Sequence, residues 1–141
     1  MIKKFNHVGV AVKDLERALS FFQETFGAEL VWRARYEEEG IESVCIAIGE
    51  AHFELIGSLD AKSLIARFIE SRGEGIHHVS LQTDDFDKTI ESLKAKGMKI
   101  VSERDTTDFK AAFIHPTSSV GVLTEIIEPK PGGMMDPQNN K

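Results

Sequence analysis

The sequence predicts an α+β fold in which one β-α-β-β-β module occurs twice. Three observations predict it. His7 and Glu54 are separated by 47 positions, and so are His78 and Glu125. The second pair follows the first by 71 positions, and Asp14 recurs as Asp85 at the same offset. Apolar positions recur with it: Val8 with Val79, Leu19 with Ile90, Phe22 with Leu93, Leu55 with Ile126. In a chain with 23 acidic residues and five histidines, one matched His–Glu pair can be coincidence. Two copies of one supersecondary unit explain all the matches with a single offset.

The elements follow in order. Phe5 to Val12 is valine-rich, sits between lysines and reads as a strand. Asp14 is an N-cap for a helix whose stripe is Leu15, Ala18, Leu19, Phe22 and Phe26, with Gly27 as its stop. Leu30 to Tyr36 is a second strand, and Glu37–Glu39 with Gly40 is a turn. Ser43 to Ile48 and His52 to Ile56 form a hairpin about Gly49–Glu50. Asp60 to Arg72 is a connecting helix with the stripe Leu64, Ile65, Phe68 and Ile69, closed by Gly73 and Gly75.

The second module repeats the order. Ile76 to Gln82 is a strand, and Asp85 caps a helix carrying Phe86, Ile90 and Leu93 that ends at Gly97. Lys99 to Glu103, Lys110 to His115 and Val120 to Ile127 supply three more strands. The expected organisation is a first module over 1–58, a connecting helix over 59–75, a second module over 76–130 and a flexible tail over 131–141. The two modules make one domain over 3–130.

Composition narrows the functional classes. Of 141 residues, 41% are apolar and 28% charged, as in an ordinary globular domain with a core. A net charge of -6 excludes a general nucleic-acid binder, which needs a basic face. No apolar run reaches the roughly 18 residues of a membrane span. The N-terminus has no signal-peptide pattern, and Cys45 is alone, so no intrachain disulfide forms. The expectation is a cytoplasmic protein with no membrane and no nucleic-acid partner.

The repeat also predicts a site. Each His lies near the start of its module's first strand and each Glu in its last. Alternation sends every second strand residue to one face, so His7, Glu54, His78 and Glu125 converge if both modules use the same face. Two imidazoles and two carboxylates suit one divalent transition metal: Co, Zn, Ni, Mn or Fe(II). Four protein ligands on an octahedral ion leave two positions for water or substrate, as in a catalytic site, whereas structural zinc favours a closed tetrahedron. A lone strand His is more often an ordinary hydrogen-bonded residue. A carboxylate flanked by Phe53 and Leu55, or by Thr124 and Ile126, is costly on a buried face unless paired or metal-bound. His77 points away from His78 and reads as structural, His52 as a surface residue, and His115 as a turn residue before Pro116.

The segments Asn6–Val12, Gly73–Val79, Phe113–Pro116 and Gly121–Glu125 resemble the methylmalonyl-CoA epimerases of the vicinal oxygen chelate superfamily, which includes glyoxalase I. The resemblance runs from about Phe5 to Pro129. It implies that the paired βαβββ modules form one strongly curved mixed sheet around a metal-binding cavity. It implies a homodimer and a small-molecule substrate, an acyl-CoA thioester or a thiol–aldehyde adduct. It implies that the metal stabilises an enolate while carboxylates transfer protons, with Glu125 both a ligand and one base. The second base in those epimerases is a Glu on the third strand of the first module. Here that position is Ser43, so the candidates for the second proton transfer are Ser43, the adjacent Glu42 and Glu39 in the preceding turn. The loop from Arg104 to Lys110 also departs, with Asp105-Thr106-Thr107-Asp108 where the epimerases carry a longer glycine-rich segment.

Three functions compete on this basis. The first is a metal-dependent epimerase acting at a carbon α to a carbonyl, with methylmalonyl-CoA as the leading substrate. The second is a glyoxalase-I-like lyase, which runs with one base on one face of the substrate. The third is a non-catalytic binding or resistance protein that sequesters a small molecule.

Overall fold

A computed structural model describes residues Met1–Asp136. The fold is mixed α+β, with eight strands and three helices among these residues. They form two compact units, His7–His77 and Met1–Asn6 with His78 onward. The unit boundaries fall inside two strands: β1 (Ile2–Ala11) starts in the second unit and ends in the first, and β5 (Gly75–Thr83) starts in the first and ends in the second.

In the unit His7–His77 the strands run in the order β2 (Glu29–Tyr36), β3 (Ile41–Ile48), β4 (Ala51–Ser58), β1. β1 and β4 are parallel, with Val8 opposite Phe53 and Gly9 opposite Glu54. The β3–β4 hairpin turns at Gly49, whose φ of 61° is the left-handed conformation a two-residue loop requires. Helix α1 (Leu15–Phe26) starts where Asp14 accepts from Arg17 N at 3.0 Å, and it stops at Gly27 with φ 70°. It lays Leu15, Ala18, Leu19 and Phe22 on a core of Val12, Val44, Ile46 and Leu55. On the other parity, Ala11 and Ile56 pack with Ile65 of α2 (Leu64–Arg72). The sheet is therefore two-sided, and α1 covers only the face that Val10, Val44 and Leu55 share.

The second unit repeats the plan with β5 (Gly75–Thr83), α3 (Phe86–Ala95), β6 (Ile100–Asp105), β7 (Phe109–Ile114) and β8 (Thr124–Pro129). The order is β5-β8-β7-β6. Asp85 caps α3 by accepting from Lys88 N at 3.1 Å. Phe86, Ile90, Ala112, Ile114 and Ile126 form the core under α3, with Leu81 and Leu93 against it. The start of β1 belongs to this unit through Asn6, whose amide donates to Gln82 at 2.8 Å.

Several expected boundaries move. α2 begins after Ser63, which accepts from Ala66 N at 2.9 Å, because Asp60 is used in a turn that takes Lys62 N at 2.7 Å. β8 begins at Thr124, not Val120: Gly121 N donates to Pro116 O, and Val120 is 98% exposed with φ 45°. The tail expected to be flexible from Pro131 is bonded as far as Asp136, with Met134 N donating to Asp108 at 3.0 Å. The rest of that expected tail, 137–141, lies outside the described residues. Among the described residues no helix is long and apolar enough to cross a membrane.

Candidate metal centre

In the first unit His7 and Glu54 lie on the face turned away from α1. The register explains it. Leu55 and Val10 are partners across β4 and β1 and face α1, so their neighbours Glu54 and Gly9, and with them His7, face the other way. His7 Nε2 is 2.9 Å from Glu54 Oε2, and both side chains are largely buried. Ser43 Oγ donates to the other oxygen, Glu54 Oε1, at 3.0 Å. Ser43 is itself fully buried.

The second unit holds its pair on the equivalent face. Leu81 and Ile126 are partners and sit in the core under α3, so Ser80 and Glu125 face away from it. Ser80 Oγ donates to Glu125 Oε1 at 2.7 Å. His78 shares this parity and stands edge-on to Phe113, with ring centres 5.3 Å apart. His78 and Glu125 are 4% and 5% exposed. A carboxylate this deeply buried requires positive charge or several donors to stay ionised.

The other candidates separate clearly. His77 packs edge-on against Phe68 of α2 at 4.9 Å, and burial lowers its pKa. His115 caps a short 3₁₀ turn by accepting from Thr117 N at 3.2 Å. Glu42 has the opposite parity to Ser43 and is bound by Arg33 Nε at 2.5 Å and Arg35 Nη1 at 3.8 Å. Glu39 is exposed in the 3₁₀ turn Glu37–Glu39. Arg104 to Lys110 closes as a tight hairpin, with Thr106 Oγ1 accepting from Phe109 N at 3.0 Å. Cys45 is buried, and that burial, with the Glu54 charge beside it, pushes its thiol pKa up to about 12.

Sequence reasoning missed Ser80. Its signal was present: it stands two residues after His78 and so shares its face, and a serine among Val79, Leu81 and Ile76 is conspicuous.

The glyoxalase/bleomycin resistance protein/dioxygenase superfamily profile matches residues 4–126. The chain belongs to this superfamily. Among curated superfamily relatives, the mitochondrial methylmalonyl-CoA epimerase of Bos taurus is 34% identical over 127 residues, covering 87% of this chain and 73% of the relative. Among solved superfamily structures, the methylmalonyl-CoA epimerase of Mycobacterium tuberculosis superposes with a TM-score of 0.86 at 32% identity, covering 92% of this chain and 90% of that one. A Streptomyces coelicolor methylmalonyl-CoA epimerase variant in complex with 2-nitronate-propionyl-CoA gives 0.87 at 25% identity, covering 93% and 97%. The α+β fold expected from the repeat is the fold found, in the glyoxalase-like form that the resemblance implies.

Proposed function

We propose that the chain is a divalent-metal-dependent epimerase that moves a proton at the carbon α to a thioester carbonyl, with methylmalonyl-CoA as substrate. Likeness to methylmalonyl-CoA epimerases over nearly the whole chain carries this conclusion.

His7, Glu54, His78 and Glu125 are the proposed metal donors. The first three offer ring nitrogens and a carboxylate suited to an ion, and Glu125 is the repeat counterpart of Glu54. The donor set of two imidazoles and two carboxylates fits Co, Zn, Ni or Mn. When bound, the ion supplies a Lewis acid that stabilises negative charge on the substrate oxygen.

The chain's own residues supply the proton transfers. Glu125 takes and returns the α-proton on one side, with Ser80 holding its carboxylate. Epimerisation needs a second group. The hydroxyl hydrogen of Ser43 is committed to Glu54, and Glu42 is committed to two guanidinium groups. We assign that transfer to Glu54, the carboxylate beside His7. The working form in this reading is a homodimer in the cytoplasm; sedimentation of the purified protein tests the dimer, and cell fractionation the compartment.

The experiment is a paired assay of the metal-loaded protein on methylmalonyl-CoA and on the hemithioacetal of methylglyoxal. Epimerisation of the thioester alone supports the proposal. Conversion of the hemithioacetal alone would replace it with the lyase, to which a serine in place of the third-strand glutamate gives independent support. Turnover of neither, with tight binding of one, would make the chain a binding protein.

A further inference from the structure

Each unit supplies one serine to its carboxylate, yet the two serines come from different strands. The registers align the units. Cys45 faces Glu54 and Phe113 faces Glu125 across the third and fourth strands, so Ser43 corresponds to Ala111. Gly9 faces Glu54 and Ser80 faces Glu125 across the first and fourth strands, so Ser80 corresponds to Gly9. Where one unit carries the serine, the other carries a residue with no hydroxyl. Each carboxylate still receives one hydroxyl, on Oε1 in both units. Both serines are 0% exposed, so water does not compete for these bonds.

A bond to one carboxylate oxygen fixes the rotation of the group and sets the direction of the other. In the first unit that second oxygen, Glu54 Oε2, is the one turned to His7 Nε2. We propose that Ser43 and Ser80 are positioning residues that orient Glu54 and Glu125 for metal binding, and that the donor is exchangeable between the two strand positions. The proposal rests on the reading of Glu54 and Glu125 as metal ligands. Ser43 then acts through Glu54 and is not itself a base.

The test uses the full chain and Co(II) as the probe, with affinity and the visible Co(II) absorption bands as readouts. The variants are Ser43→Ala, Ser80→Ala and the relocation Ser80→Ala with Ala111→Ser, which moves the donor from β5 to β7. Glu54→Ala and Glu125→Ala are controls. Each serine variant is expected to keep the wild-type circular dichroism, bind Co(II) about tenfold or more weakly and show shifted bands. The relocated serine is expected to restore most of the affinity and the wild-type bands. Wild-type affinity and bands in either folded alanine variant overturn the proposal for that residue. A folded relocation variant with no recovery overturns the exchangeable-donor geometry. Full Co(II) binding by both glutamate controls overturns the ligand reading instead. The two serines lie in different units, so failure of one variant to fold leaves the other decisive.

Discussion

His7 Nε2 and Glu54 Oε2 lie 2.9 Å apart, on a sheet face that α1 does not cover. The pair brings together residues 47 positions apart in sequence because β1 and β4 are parallel neighbours with Gly9 opposite Glu54. His7 stands two residues before Gly9 on the same face, one diagonal step away. The same placement of a His and a Glu recurs 71 residues later.

Metal content should distinguish adjacent histidines. His78→Ala should lose most bound metal and the activity with it. His77→Ala should keep the metal, because its ring sits against Phe68 instead. Metal analysis of the two purified variants checks this, and equal losses would show the face assignment to be wrong.

Two roles are separable at the proposed second base. Glu54→Gln keeps an oxygen donor for the metal but removes the proton acceptor. Exchange of the α-proton from one epimer should persist through Glu125, while inversion falls by about a hundredfold or more. Chiral analysis of the thioester beside its deuterium content reads the two rates apart. Equal loss of both would assign no separate role to Glu54.

Helix caps should cost similar amounts in the two units. Asp14→Ala and Asp85→Ala each remove a carboxylate that accepts an N3 amide at 3.0 and 3.1 Å. Each should lower unfolding free energy by about 1 kcal/mol. Urea unfolding measures it, and a value near zero for either would mean that cap is made by water as well.

A side chain at Gly40 should cost stability. Its φ is 67°, and a methyl there would come 2.6 Å from Asp60 Oδ2. Gly40→Ala should destabilise by about 1–2 kcal/mol. The substitution at Gly49, where a methyl meets nothing within 4 Å, should cost less. Thermal unfolding of the two variants ranks them.

Acid should weaken one surface pair in a definite direction. Lys130 Nζ donates to Asp105 at 2.5 Å and holds its carboxyl below the usual aspartate range. A depressed folded-state pKa adds stability above the unfolded value of about 3.9, and that stability is lost as pH falls through the folded one. Asp105→Asn should therefore be less stable than the parent at pH 7 and equal to it near pH 2. A constant difference across that range would show that the charge contributes nothing.

Much of the fold was legible because each element carried its own signal. Asp14, Gly27 and Asp85 are local cap chemistry, and the Gly49 hairpin is local turn chemistry. The 71-residue offset placed the four candidate ligands, and alternation alone separated His78 from His77. Other features were set by competition the sequence does not display. Asp60 looks like a cap, but it is drawn into a turn with Lys62, and Ser63 takes the helix. Val120, Val122 and Leu123 look like the start of a strand. The 3₁₀ turn after Pro116 holds this stretch instead, so pairing begins at Thr124. The serine bonds were illegible for a different reason. Ser43 and Ser80 are not repeat counterparts, so the offset that found the carboxylates could not find their donors.

The most direct measurement is deuterium incorporation into a single epimer of methylmalonyl-CoA in D2O. It compares protein loaded with Co(II) against the same protein after chelation. The loaded protein should give α-deuterated product of both configurations, and the chelated protein should give neither label nor inversion. A single unlabelled epimer recovered with Co, Zn, Ni and Mn alike would contradict proton transfer at this site.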